Sequence, residues 1–125
     1  MNLRQYTFSI ELKDGYLLAR AHGERTRATV TAITMEVFEA AMAKDFPKAL
    51  IDVRELDGRL SVLDSYLIVT QVFEKLRGKV LRKAAIVDWR ISSTRGWFLE
   101  TVARNRGFNI RVFADSREAL AWLEA

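Results

Sequence analysis

Apolar and polar residues alternate at the start of the chain. This period of two is typical of a strand with one buried face. Asp14-Gly15 then marks a tight turn, and a second apolar run predicts a returning strand over 16–21. The first part of the chain is therefore predicted to form an antiparallel pair of strands. The alternating apolar positions are Tyr6, Phe8, Ile10 and Leu12.

Further along the chain, segments with the 3.6-residue period of a helix alternate with short, continuously apolar segments. The pattern predicts helices over 32–44, 62–76, 94–106 and 116–123. It predicts strands over 49–53, 83–89 and 109–113, with a polar loop over 54–60. The predicted helix boundaries are N-caps at Thr31, Ser61 and Ser116 and a C-terminal glycine at Gly107.

The order of elements is β-β-α-β-α-β-α-β-α. Strands that alternate with helices predict a mostly parallel sheet with right-handed crossovers, to which the first strand is an antiparallel addition. We therefore expect one α/β domain over 1–125, with a mixed five-stranded sheet and about four helices.

The composition limits the chemistry. The chain has no cysteine, which excludes disulfides and thiolate nucleophiles, and one histidine, His22, which cannot form a metal cluster alone. Asp52, Asp57 and Asp64 surround one loop, but each has a sufficient structural role in a strand end, a turn or a helix cap. We therefore expect no catalytic residues, no metal, no cofactor and no enzymatic activity.

Charge and hydropathy indicate where such a protein would act. The N-terminus lacks a signal peptide and the apolar runs are too short to span a bilayer, so a soluble, cytoplasmic protein is expected. The net charge is +4, and ten of the 20 Lys and Arg lie between Lys75 and Arg111 against two acids. This basic segment either attracts anionic partners or forms an ordinary solvated surface. No sequence motif indicates specific nucleic-acid binding.

Three sequence segments carry a resemblance to a known family. They are Leu50-Ile51-Asp52-Val53-Arg54 before a loop and helix, 102–115 with its Arg-Asn-Arg-Gly turn, and the ending 118–123. With the element order, they resemble the SpoIIAA-like family of STAS (STAS/SEC14-like) domains over nearly the whole chain. The motifs are mostly structural and specify a fold more than an activity.

The resemblance implies a non-catalytic regulatory or protein-interaction module that acts through the loop and helix after Asp52. Anti-anti-sigma proteins with this fold carry a phosphorylatable serine at the start of that helix, and the similar position here is Ser61. Their Asp-Ser-Ser-Gly-like turn is replaced by 59–64, Arg-Leu-Ser-Val-Leu-Asp. The likeness to SEC14-type carriers implies, as an alternative, a lipid-like ligand.

The second helix is more apolar than one buried stripe requires. As a regular helix it would bury Val62, Tyr66, Val69, Val72, Phe73 and Leu76. Leu63, Leu67 and Ile68 lie outside that stripe. They fit either a wide groove within the protein or a contact surface for a partner, including a second copy of the chain.

The carboxyl edge of the sheet is the expected place for any small anionic ligand. Arg54, Trp89, Arg90 and Arg95 follow strand ends there, beside predicted helix N-termini that bind anions or are capped by their own hydroxyls. Trp97 lies on the polar side of the third helix. It is either part of a binding surface or stacked on Arg90 and Arg95.

Overall fold

A computed structural model describes residues 6–76, 82–89 and 94–125. Within these ranges the predicted α/β fold and element order are confirmed. The strands are β1 (Tyr6–Leu12), β2 (Leu17–Glu24), β3 (Lys48–Asp57), β4 (Lys83–Val87) and β5 (Ile110–Phe113). The helices are α1 (Arg27–Lys44), α2 (Val62–Leu67), α3 (Thr94–Asn105) and α4 (Ser116–Glu124). A π turn (Ile68–Val72) and a 3₁₀ turn (Phe73–Leu76) continue α2 directly.

The five strands lie in one sheet in the order β1-β2-β3-β4-β5. β1 pairs antiparallel with β2 after the turn at Gly15, whose φ of 87° suits glycine. The other three pairings are parallel, as the alternation of strands and helices predicts.

Helices cover the two faces of the sheet unequally. Leu17, Ala19 and Ala21 of β2 are buried in a cluster with Ile33 and Val37 of α1. Helix α3 and the π turn form a second cluster with β4 and β5 on that face. On the opposite face, α4 is the one helix of the described ranges that covers β3, β4 and β5. The part of that face formed by β1 and β2 therefore carries exposed polar side chains, among them Thr7, Ser9, Arg20 and His22.

Helix α1 begins five residues earlier than predicted. Its N-cap is Thr26, whose hydroxyl accepts a hydrogen bond from the backbone N–H of Thr29, and not Thr31. Thr29 is itself buried. The sequence obscures this start because β-branched residues, which have modest helix propensity, fill the first turns.

Strand β3 continues through the segment that the sequence indicated as a loop. After a bulge, His22, Gly23 and Glu24 pair with Glu55, Leu56 and Asp57. The bulge leaves both Arg54 and Glu55 on the open face of the sheet between the buried Val53 and Leu56, so the period of two is interrupted. Smaller differences are that β2 extends to Glu24, β4 ends at Val87, and Asp115, not Ser116, caps α4.

Candidate functional site

Three parallel strands end at one edge of the sheet. The residues that follow them are Arg25 after β2, the 58–61 segment after β3, and Asp88 and Trp89 after β4. This is the carboxyl edge at which the sequence analysis expected a functional surface. Two surfaces lie there, one on each face of the sheet.

Arg25 ties the strand ends together. Its guanidinium donates hydrogen bonds to the carbonyl oxygens of Val53 at 3.1 Å and Gly58 at 3.0 Å. Its Nη1 lies 3.4 Å from an oxygen of Asp88, and both side chains are largely buried. Arg25 therefore fixes the end of β3, the loop before α2 and the end of β4 relative to one another.

Sequence reasoning missed the contact between Arg25 and Asp88. The signal that was present is an acid directly after the buried strand β4 and a base directly after β2. Since charges at neighbouring strand ends meet at one edge and a buried acid needs a partner, opposite charges at these positions predict an ion pair.

Ser61 caps α2, as predicted. Its hydroxyl accepts a hydrogen bond from the backbone N–H of Asp64 at 3.0 Å, and the residue is exposed. The Asp64 carboxylate lies 3.8 Å from Arg27 Nη1. The serine hydroxyl is thus held at a helix N-terminus, where backbone donors also tolerate added negative charge.

We predict that Ser61→Ala lowers the free energy of unfolding by about 1 kcal/mol, since an unmet backbone N–H remains at the helix start. Ser61→Asp is expected to be nearly neutral because aspartate also caps and suits the helix dipole. Urea denaturation of both variants measures this. Equal losses for alanine and aspartate would contradict the capping role, and loss of a partner by Ser61→Asp with unchanged stability would indicate a phosphoserine switch.

The first turn of α2 exposes an apolar surface, here called the α2 patch: Val62, Leu63 and Tyr66. Their side chains are 44 %, 64 % and 42 % exposed. Leu67 is half-buried beside them. The guanidinium of Arg106 lies 5.8 Å from the Tyr66 ring, which supports one edge of the patch.

Ile68, which the sequence placed outside the buried stripe, in either an internal groove or a contact surface, is 1 % exposed and packs in the core with Val69 and Phe73. The physical reason is the π turn. The N–H of Phe73 donates to the carbonyl of Ile68, five residues back, so each residue of this turn rotates less than in an α-helix. The preceding turns are therefore rotated: Ile68 points inward, while Val62 and Tyr66, predicted as core, point outward.

On the opposite face, the predicted site residue Arg54 is bound to Asp52. Its Nη2 and Nε lie 2.7 and 2.9 Å from the two carboxylate oxygens. Burial alone would raise the pKa of Asp52, but the hydrogen bonds and charge of Arg54 hold it below its ordinary value. The guanidinium also lies 4.9 Å from the ring of Trp89, which is largely exposed.

These contacts change the predicted anion site. Asp52 neutralises Arg54, so Arg54 does not present a free cation to the edge. Of the other candidate residues, Arg90 and the side chains of Arg95 and Trp97 lie outside the described residues. Beside the pair, the bare part of the sheet forms an open groove of about 410 Å³. Its polar lining comprises Thr7, Ser9, Arg20, His22, Asp52, Arg54 and Glu55.

We predict that Asp52→Asn lowers the free energy of unfolding at pH 7 by about 1 kcal/mol. The pKa of Asp52 is lowered in the folded state, so its contribution is present above the unfolded pKa and is lost as the pH falls through the folded pKa. The difference between wild type and variant should therefore shrink below about pH 4. Urea denaturation between neutral and acid pH measures it, and a difference that does not change with pH would contradict the ion pair.

Two other kinds of functional feature are absent from the described residues. Among the described residues, no group of three or more His, Asp or Glu is placed to hold a metal ion. No helix in the described parts of the chain is long and apolar enough to cross a membrane.

Comparisons with known proteins address the whole chain. No protein-family model matches it, and no curated protein matches it. Among solved structures, a SpoIIAA-like fold protein of the DUF3478 family from Shewanella loihica PV-4 is 29 % identical, with a TM-score of 0.57 over 98 % of this chain and 97 % of that one. An anti-sigma factor antagonist from Mycobacterium paratuberculosis is 19 % identical, with a TM-score of 0.61 over 96 % and 95 %. The protein therefore has the SpoIIAA-like fold.

Proposed function

We propose that the protein is a non-catalytic regulatory module that binds a protein partner through the loop and helix after β3. The observation that carries this proposal is the α2 patch, where three large apolar side chains lie exposed directly after the exposed Ser61. Contiguous exposed apolar side chains mark interaction sites, and tyrosine is enriched among residues that dominate binding energy.

The frame beneath the patch suits recognition. The Ser61 cap fixes the helix start, and Arg25 holds the preceding loop at Gly58. An ordered helix start and loop end reduce the entropy that is lost when a partner binds. The similar structure from Mycobacterium paratuberculosis is an anti-sigma factor antagonist, which supports a role exerted on another protein.

Two of the three acidic residues considered for catalysis have structural partners, which supports a non-catalytic role. Asp52 is paired with Arg54 on one face of the sheet. The backbone N–H of Asp64 donates to the Ser61 hydroxyl in the cap of α2, and the Asp64 carboxylate lies 3.8 Å from Arg27 Nη1. Neither is arranged as a base beside a nucleophile, which acid–base or covalent catalysis requires.

Differential capture from native lysate tests the proposal. Wild type is compared with Leu63→Glu, which places a charge in the α2 patch, and with Leu12→Glu, a matched control at an exposed leucine of β1. We expect a protein that wild type and Leu12→Glu retain and Leu63→Glu loses. Partners that Leu63→Glu retains as well as wild type would refute the patch as the binding surface.

A second copy of the chain is one partner that the patch can accept. We predict concentration-dependent dimerisation in sedimentation experiments, because a two-fold dimer uses the same apolar surface on both chains. Leu63→Glu should shift the protein to monomer, whereas Leu12→Glu should not. A strict monomer, or a dimer that survives Leu63→Glu, would show that self-association does not use this surface.

The groove on the opposite face supports a second candidate function, binding of a small anionic or lipid-like ligand. Arg20, His22 and Arg54 line it, with the exposed Trp89 stacked on Arg54 at its margin. Phosphate titration, followed through the NMR signals of His22, tests this candidate. Saturable shifts that Arg20→Ala abolishes would support it, and unchanged affinity in that variant would rule it out.

A further inference from the structure

The π turn determines which residues the second helical segment shows to solvent. A π turn contains one residue more than the α-helical turn it replaces, and its hydrogen-bond geometry is less favourable. Here it occupies Ile68–Val72. It lies between α2, which carries the exposed patch, and the 3₁₀ turn, which buries Phe73 and Leu76. The apolar residues on its two sides therefore do not lie on one stripe.

Two arrangements of the same residues bury an apolar face. In the structure, Ser65, Ile68 and Val69 face the core, while Val62 and Tyr66 are exposed. In an uninterrupted α-helix, Val62 and Tyr66 would align with Val69 and Phe73 on the buried side, and Ile68 would turn away from it. The sequence thus supports a second register of the helix, in which Val62 and Tyr66 are buried and Ile68 is exposed.

We propose that the 62–76 segment has this second, fully α-helical register, and that the π turn is the device that presents the α2 patch to a partner. This inference rests on the proposed function. Without a partner, the π register leaves three large apolar side chains in water. A partner that contacts Leu63 and Tyr66 binds only the π register and shifts the population toward it. Arg59 and Leu60 are half-buried between Gly58, which Arg25 holds, and the Ser61 cap, and they take up the one-residue slide.

Single cysteines test the proposal, because the chain has no cysteine of its own. A cysteine at Tyr66 is accessible to a thiol reagent in the π register, and a cysteine at Ile68 is accessible in the second register. A cysteine at Val69 is buried in both. In the intact protein we expect Ile68→Cys to react with a thiol reagent through a local opening, at a rate independent of denaturant. Val69→Cys should react at least about tenfold more slowly, and only through global unfolding.

Deleting Gln71, an exposed residue of the π turn, removes the extra residue and should fix the second register. Tyr66→Cys should then react at least about tenfold more slowly and Ile68→Cys correspondingly faster than in the full-length chain. A folded deletion variant with unchanged rates would overturn the proposal. If the deletion variant does not fold, equal and denaturant-dependent rates for Ile68→Cys and Val69→Cys in the intact chain would overturn it.

The two proposals fail separately. A partner that binds wild type and not Leu63→Glu would uphold the α2 patch even if the labelling rates showed one register. If the labelling rates showed two registers and Leu63→Glu lost no partner, the second register would be supported and the α2 patch would be refuted as the binding surface.

Discussion

Arg25→Met is expected to lower the free energy of unfolding by about 3 kcal/mol, because it removes a cation that pairs with the largely buried carboxylate of Asp88. It also removes the donors to the carbonyl oxygens of Val53 and Gly58. Methionine retains most of the apolar stem, so lost packing contributes little. Urea denaturation at neutral pH gives the free energy directly.

Arg27→Met is the matched control for this prediction. Arg27 lies two residues away, is about half exposed and approaches Asp64 only to 3.8 Å. Surface pairs of this kind contribute between zero and about 1 kcal/mol. A loss at Arg25 no larger than the loss at Arg27 would contradict the role of Arg25 in holding the carboxyl edge together.

Ile68→Ala is expected to lower the free energy of unfolding by about 3 kcal/mol, whereas Leu63→Ala should change it by less than about 0.5 kcal/mol. Ile68, the first residue of the π turn, is fully buried, and its truncation leaves a cavity. Leu63 is 64 % exposed. Thermal or urea denaturation of the two variants measures the difference. Similar small effects at both positions would mean that Ile68 faces solvent and that the segment is a regular α-helix.

The order of elements and the parallel sheet could be predicted because they depend on local periodicity. Alternation over 6–12 and continuous apolarity in β4 reflect burial on one or both faces, and burial is what the sequence pattern records. The Ser61 cap was also predictable, since a serine three residues before an acid has a local purpose.

The errors arise where the structure departs from a constant period. The bulge in β3 leaves Arg54 and Glu55 on the same face of the sheet, and the strand then continues where the sequence indicated a loop. The π turn shifts the helical phase by part of a turn, so Ile68 and Tyr66 exchange their predicted environments. Neither change has a residue-type signature, because each is stabilised by packing between distant segments.

The candidate site was only partly predictable for a related reason. The edge of the sheet follows from topology, but which charges pair there depends on side-chain distances. Arg54 was grouped with other arginines as an anion site, whereas the bulge directs it to Asp52. Arg25 was not considered, although its contacts with Gly58 and Asp88 hold the loop before α2.

Site-specific photocrosslinking in the native cells tests the central claim most directly. A photoreactive amino acid replaces Leu63 in the α2 patch in one variant and Leu12 on β1 in another, both exposed positions. The account predicts a discrete protein adduct from position 63, whose mass identifies either a second copy of the chain or another protein, and none from position 12. Adducts from position 12 alone, or from neither position, would contradict it.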